Sequence, residues 1–229
     1  IVRHYPQFPA GHYFLGGLYE EWGKPDKAAA EYEEIIKLAP EQVDAHLNLG
    51  IVCGLTQKFD EAGKEIRSFG AGMFVWPHGI RVDPAGNIWI TDGDKNKDGT
   101  NGEMVYKFSR DYKLLMTIGT KGVAGDGEYT FNGPTDVAWN KNGDIFVTDG
   151  HVNARVVKYT KDGKFIKAWG KKGNGPGEFN LPHSVAIDSR GRVFVADRSN
   201  NRIQIFDQDG TFLEQWDQFG GDSSLTIFP

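Results

Sequence analysis

Two histidines occupy the same place in two copies of a repeated segment, and this arrangement makes them candidate metal ligands. Three segments of the 229-residue chain superimpose without gaps, namely Pro77–Asp92, Pro134–Asp149 and Pro182–Asp197. The residue after the opening proline is His78 in the first copy, Thr135 in the second and His183 in the third. Imidazole nitrogen is a common zinc ligand, so the first and third copies offer two ligands to one ion.

The pattern inside each copy predicts a β-hairpin. A glycine lies nine residues after the proline, where a tight turn with positive φ is expected, at Gly86, Gly143 and Gly191. β-Branched and aromatic residues alternate with polar ones, which favours strands over helices. Two further strands follow each copy, predicted at Met104–Phe108, Arg155–Tyr159 and Arg202–Phe206, and at Leu114–Ile118, Phe165–Trp169 and Phe212–Trp216. Four short antiparallel strands per unit are typical of a β-propeller blade.

The number of units predicts an incomplete propeller. We assign residues 68–229 to this domain, with blades at 77–119, 133–170 and 181–217, and Pro229 lies in phase with the start of a fourth unit. Propellers close with about four to eight blades, so we expect a fragment with about three of six blades. In a six-bladed ring, His78 and His183 would lie a third of a turn apart and form two corners of a three-histidine site. The alternative is that both histidines hydrogen-bond to the backbone at the mouth of the channel.

Residues 1–67 follow a different, helical period of 34 residues. Leu15-Gly16 recurs as Leu49-Gly50, and Ala28 recurs as Ala62. This spacing is typical of tetratricopeptide (TPR) helical hairpins, whose concave surface binds peptides and proteins. The predicted fold class is therefore multidomain: short α-helical TPR hairpins that could bind a protein partner, followed by an incomplete antiparallel β-propeller.

The residues that follow the last aspartate of each copy are further candidates for chemistry. His151 lies just past Asp149, and Arg198 directly follows Asp197. A guanidinium at this point could hold a substrate carboxylate, and the alternative is an ion pair with Asp197 or with an acid of a neighbouring blade. The aspartates themselves recur in every unit, so we predict that they hydrogen-bond within turns or between blades and take no part in catalysis.

Composition excludes several classes of function. The formal net charge is −5 and basic residues are interleaved with acidic ones, so no nucleic-acid-binding surface is predicted. No run approaches the roughly 18 apolar residues of a membrane span. The single cysteine, Cys53, excludes an internal disulfide and any site built from several cysteines.

The motifs around these residues give a family resemblance. Residues 69–217 resemble an NHL-repeat β-propeller, with 175–183 a typical start of a blade, and more narrowly the peptidyl-α-hydroxyglycine α-amidating lyase family. The segments that carry the resemblance are Phe74–Gly79, Pro134–Ala138 and Leu181–Ser184. The resemblance implies a six-bladed ring with zinc held by three histidines, two of which match His78 and His183. It also implies that Arg198 matches a catalytic arginine.

The same resemblance implies a substrate and a reaction. The family cleaves peptidyl-α-hydroxyglycine into a peptide amide and glyoxylate, and its catalytic tyrosine falls at His151, where a neutral imidazole would be the base. The third zinc ligand, and an acid that helps to bind calcium, would lie beyond Pro229. The resemblance also implies an exported protein. The alternative function is a non-catalytic TPR–NHL scaffold or sensor that binds a peptide or protein.

Overall fold

The computed structural model describes residues 7, 9–22, 24–38 and 69–218. The chain divides into two compact units between Phe69 and Gly70. The second helical copy predicted around Leu49 and Ala62, and the start of a fourth blade predicted at Pro229, lie outside the described residues. Within the described ranges, no helix is long and apolar enough to cross a membrane.

The first unit contains an antiparallel pair of helices. Helix α1 spans Pro9–Glu21 and helix α2 spans Pro25–Leu38, and the rings of Tyr13 and Tyr32 meet between them at 6.1 Å. A Cβ atom at Gly16 would come within 2.7 Å of the Tyr32 ring, so this glycine permits the close approach of the two helices. One helical hairpin is therefore present, while a TPR array stays a prediction.

The second unit contains three four-stranded antiparallel sheets, each with its strands in chain order. The strands of the first sheet are β1 Pro77–Val82, β2 Ile88–Lys95, β3 Gly102–Phe108 and β4 Leu114–Ile118. Those of the second are β5 Pro134–Trp139, β6 Ile145–Asp149, β7 Arg155–Tyr159 and β8 Phe165–Trp169. Those of the third are β9 Pro182–Ile187, β10 Val193–Asp197, β11 Arg202–Phe206 and β12 Phe212–Trp216. The predicted propeller blades are confirmed, and only β3 begins earlier than predicted.

In each sheet, the repeated aspartate on the second strand binds the backbone just before the first strand. The carboxylate of Asp92 accepts hydrogen bonds from the backbone N–H groups of Val75 and Trp76 at 3.0 and 2.6 Å. The equivalent carboxylates of the second and third sheets do the same at 2.8 and 2.6 Å: Asp149 accepts from Asn132, and Asp197 accepts from Asn180. Hydrogen bonding by these aspartates is thus what the structure shows.

Apolar side chains fill the space between neighbouring sheets. One cluster joins the first and second sheets and contains Trp89, Val137, Ile145 and Val147, among others. A second cluster joins the second and third sheets and contains Phe146, Val185 and Phe206, among others. Strand β6 contributes alternate residues to the two clusters because successive side chains of a strand point to opposite faces. The sheets therefore stack face to face, as blades do.

Polar contacts tie together the first strands of the three sheets. Strand β5 contacts both β1 and β9. The Asp136 carboxylate on β5 accepts two hydrogen bonds from the Arg81 guanidinium on β1, at 2.9 and 2.6 Å. It also accepts hydrogen bonds from the Ser184 hydroxyl at 2.6 Å and the Val185 backbone N–H at 3.1 Å on β9. One buried carboxylate thus joins three sheets.

Replacing this carboxylate tests its part in stability. We expect Asp136→Asn to lower the free energy of unfolding by about 3 kcal/mol, because Arg81 would lose the negative charge of Asp136 in a largely buried place. Urea unfolding followed by circular dichroism measures the change. The matched control is Glu214→Gln, which removes the more exposed contact between Arg192 and Glu214 at 3.4 Å and should cost under about 0.5 kcal/mol. Equal losses in the two variants would contradict this account.

Candidate metal centre

Three histidines converge where the three sheets approach one another. His78 lies on β1, His183 lies on β9, and His151 lies in the loop after β6. The ring centroids are 4.7 Å apart for His78 and His151, 4.8 Å for His78 and His183, and 5.7 Å for His151 and His183. One nitrogen of each ring lies within 4.8 Å of the others, so the three could hold one metal ion. We call these three residues the histidine cluster.

A backbone hydrogen bond orients His78. Its Nδ1 lies 2.8 Å from the Thr135 carbonyl oxygen, which can only accept a hydrogen bond. Nδ1 therefore carries the proton in a neutral ring, and Nε2 keeps its lone pair. Metal-binding histidines are commonly oriented in this way. The backbone hydrogen bond considered as an alternative to metal binding is present at His78, and it is compatible with a ligand role.

Two glycines bring His151 to the cluster. The backbone N–H groups of Gly150 and His151 both donate to the Gly133 carbonyl oxygen at 3.0 Å. Gly133 has φ +87°, and a Cβ atom there would lie 2.5 Å from the His151 Cβ. A Cβ atom at Gly150 would collide with the Pro182 carbonyl oxygen. A larger residue at Gly133 would therefore push His151 away from the segment before β5, and one at Gly150 would push the His151 loop away from β9.

The His151 ring is poised to act as a neutral imidazole. Its Nε2 is buried and has no hydrogen-bond partner among the described residues. Burial, the largest cause, and the nearby His78, His183 and Arg198 charges together lower the pKa of His151 to about 4, while the Asp94 charge acts in the opposite direction. A neutral imidazole can bind a cation or accept a proton, so the geometry is suited to either role.

Thr135 is a residue whose role sequence reasoning missed. From the repeat, Thr135 is only the residue that stands where the other two copies have a histidine. In the structure its carbonyl oxygen accepts the hydrogen bond from His78, and its hydroxyl oxygen lies 2.9 Å from the carbonyl oxygen of Pro182, the residue before His183. Thr135 therefore connects the two strands that carry the candidate ligands.

Arg198 lies beside the histidine cluster without a carboxylate partner in the described part of the chain. It is exposed and begins a short 3-10 turn, Arg198–Asn200, directly after β10. The alternative pairing of Arg198 with Asp197 is wrong, because the Asp197 carboxylate binds Arg202 Nε at 2.9 Å. The Arg198 charge is close enough to His151 to lower the pKa of that ring. Its guanidinium is therefore available to an anionic group.

Glu103 binds the backbone of Gly133, which in turn holds the His151 loop, and its own backbone is strained. It has φ 57°, is buried, and its carboxylate accepts a hydrogen bond from the Gly133 backbone N–H at 2.8 Å. Burial raises the pKa of Glu103 to about 6, which the Gly133 hydrogen bond opposes and the Asp149 charge reinforces. The folded protein therefore binds this proton more tightly than the unfolded chain does.

This shift predicts a pH dependence of stability. Because the folded-state pKa of Glu103 is raised, its contribution to stability falls as pH rises through the interval from about 4.5 to 6. We expect Glu103→Gln, which keeps an acceptor for Gly133, to match the wild type near pH 4.5 and to be more stable by about 1 kcal/mol above pH 7. Urea unfolding at several pH values measures this. The exposed control Glu128→Gln should show no such divergence, and a parallel pH profile for Glu103→Gln would refute the prediction.

Comparison with known proteins supports the propeller assignment. A family model described as a 6-bladed beta-propeller matches residues 128–215. A gluconolactonase structure from Xanthomonas campestris superimposes with a TM-score of 0.53 at 19% identity, over 73% of this chain and 57% of that one. At this identity the superposition shows the fold alone.

Two curated relatives share more sequence with the chain. A Caenorhabditis elegans protein named "Probable peptidyl-alpha-hydroxyglycine alpha-amidating lyase" is 40% identical over 147 residues, which are 62% of this chain and 40% of that protein. Human NHL repeat-containing protein 3 is 39% identical over 182 residues, which are 75% of this chain and 51% of that protein. The chain thus spans about half the length of these relatives or less. Its second unit is built of NHL-like β-propeller blades, and its homologues include proteins named as amidating lyases.

Proposed function

We propose that His78 and His183 of the histidine cluster bind a zinc ion that assists C–N bond cleavage in peptidyl-α-hydroxyglycine, with His151 as the base. The products would be a peptide amide and glyoxylate, and as the family resemblance implies, the reaction would take place outside the cytoplasm. The observation that carries the proposal is the convergence of His78, His151 and His183 beside the guanidinium of Arg198, which has no carboxylate partner among the described residues. The relatives named as amidating lyases support this reaction class.

The residues present fit zinc. Imidazole nitrogens are preferred zinc ligands, and His78 and His183 would hold the ion in this proposal. Bound zinc supplies a Lewis acid that lowers the pKa of a hydroxyl group placed on it. Among the described residues the histidine cluster is the one group of at least three His, Cys, Asp or Glu side chains with this spacing. Calcium, which the resemblance also implies, therefore has no ligands assigned here.

The protein's own groups account for the proton transfers. The substrate, peptidyl-NH–CH(OH)–COO⁻, loses its hydroxyl proton to the neutral His151 imidazole, and the carbon–oxygen bond becomes a double bond as the C–N bond breaks. The same proton then passes to the leaving nitrogen, so the peptide leaves as an amide and the remainder as glyoxylate. Arg198 would hold the carboxylate through charge-assisted hydrogen bonds. Atoms and charge balance without a further reactant.

The first test measures zinc and glyoxylate together. We expect the complete six-bladed protein, with the third zinc ligand that the resemblance implies, to bind zinc and to release glyoxylate from acetyl-Phe-α-hydroxyglycine. His78→Ala and His183→Ala should each lower zinc affinity at least tenfold and abolish glyoxylate release, since loss of a single ligand weakens such sites strongly. Arg190→Ala, a charge change at an exposed turn, is the control and should change neither quantity. Wild-type protein that binds zinc but releases no glyoxylate would refute the lyase.

A second test concerns His151. If it is the base, His151→Ala should retain zinc while glyoxylate release falls by about 100-fold or more. His151→Tyr places the family's residue at this position and should restore part of the activity. Zinc titration with a chromophoric chelator and a glyoxylate assay provide the two readouts. Loss of zinc from His151→Ala, with no gain in His151→Tyr, would show that His151 is a ligand and would remove it as the base.

A non-catalytic scaffold is the second candidate function. The similarity to human NHL repeat-containing protein 3, at 39% identity, favours it. In this case a metal would only stiffen the contact between blades, and the helical pair would supply a surface for a protein partner. The glyoxylate assay separates the two functions, since the scaffold predicts zinc binding without turnover.

A further inference from the structure

Trp76 lies against the histidine cluster with much of its surface exposed. Its ring centroid is 5.2 Å from that of His78 and 4.7 Å from that of His151, and 44% of the residue is accessible to solvent. Its backbone is held on both sides, because its N–H donates to Asp92 and its carbonyl oxygen accepts from the Gly93 N–H at 2.9 Å. An exposed indole in a fixed position is a preformed apolar surface.

The repeat itself does not require this tryptophan. The equivalent residues, directly before the opening prolines of the second and third copies, are Gly133 and Leu181. The Trp76 ring packs beside Gly93, where a Cβ atom would lie at an ordinary contact distance of 3.5 Å from the ring and 3.1 Å from the Pro134 carbonyl oxygen. Gly93 follows Asp92 at the place that Arg198 occupies in the third copy. The first blade therefore carries an aromatic surface where the third blade carries a cation.

These two features border the same histidines. Trp76 contacts the His151 ring, and the Arg198 charge acts on that ring as well. A ligand that fills this space would have an apolar group toward Trp76 and a carboxylate toward Arg198. The C-terminal end of a peptide has this form when an apolar residue precedes the terminal one.

We propose that Trp76 forms the subsite for the side chain that precedes the C-terminal α-hydroxyglycine and that it selects apolar, above all aromatic, residues there. This inference rests on the proposed function. Aromatic rings pack well on indole in edge or offset geometry, whereas an aspartate side chain would meet the electron-rich face of the ring. Acetyl-Phe-α-hydroxyglycine should therefore be used about tenfold more efficiently than acetyl-Asp-α-hydroxyglycine.

The experiment compares three variants with the full chain. Trp76→Ala should lower kcat/KM for the Phe substrate about tenfold and leave the Asp substrate nearly unchanged, while Trp76→Phe should retain most of the preference. Leu213→Ala, which removes an apolar side chain of similar exposure (48%) on outer strand β12, should change nothing. Equal effects of Trp76→Ala on both substrates, or no effect on either, would overturn the subsite.

Binding without turnover separates this inference from the lyase proposal. Acetyl-Phe-Gly and acetyl-Asp-Gly carry the carboxylate but lack the hydroxyl group, so they cannot be cleaved in this reaction. Calorimetric titration should show about tenfold tighter binding of the Phe peptide to the wild type and no preference in Trp76→Ala. This result without glyoxylate release would refute the lyase and keep the subsite. Glyoxylate release with equal binding of both peptides, or no binding of either, would refute the subsite.

Discussion

The candidate site depends on the short distance between the first strands of three separate sheets. Apolar packing between the sheets is strong but has no preferred direction, so it does not by itself fix this distance. The consecutive residues Thr135 and Asp136 do so with directed hydrogen bonds to strands on either side. His78 on one neighbour and His183 on the other are thereby held at a defined separation.

The chemistry lies where the copies of the repeat differ. The opening proline, the turn glycine and the aspartate of the second strand recur in all three blades, and each has the same structural role in every copy. The residue after the aspartate is Gly93 in the first blade, Gly150 in the second and Arg198 in the third, so this position permits a close backbone approach in two blades and carries a charge in the third. The fold thus brings equivalent positions of the blades to the same end of the sheets, and the residue type at each position determines its chemistry.

The sequence was sufficient for the blades and for the pairing of His78 with His183. Strand alternation and turn glycines are local signals, and two residues in the same phase of a repeat must occupy corresponding places. The contacts of His151, Trp76 and Thr135 could not be predicted in this way. These contacts depend on the distance between neighbouring sheets and on the glycines that permit a close approach. A local sequence pattern does not determine this distance. Arg198 was identified from the sequence, but only the structure shows that the Asp197 carboxylate binds Arg202 and not Arg198.

The three imidazoles come from three different sheets, and this has a thermodynamic consequence. A cation held by His78 on the first sheet and His183 on the third would bind only while the sheets are packed together, so its binding free energy would be added to the stability of the packed blades. Each tenfold rise in its concentration above the dissociation constant would stabilise the assembled sheets by about 1.4 kcal/mol. The fraction of protein with a bound cation and the stability of the packed sheets would therefore depend on the same binding equilibrium.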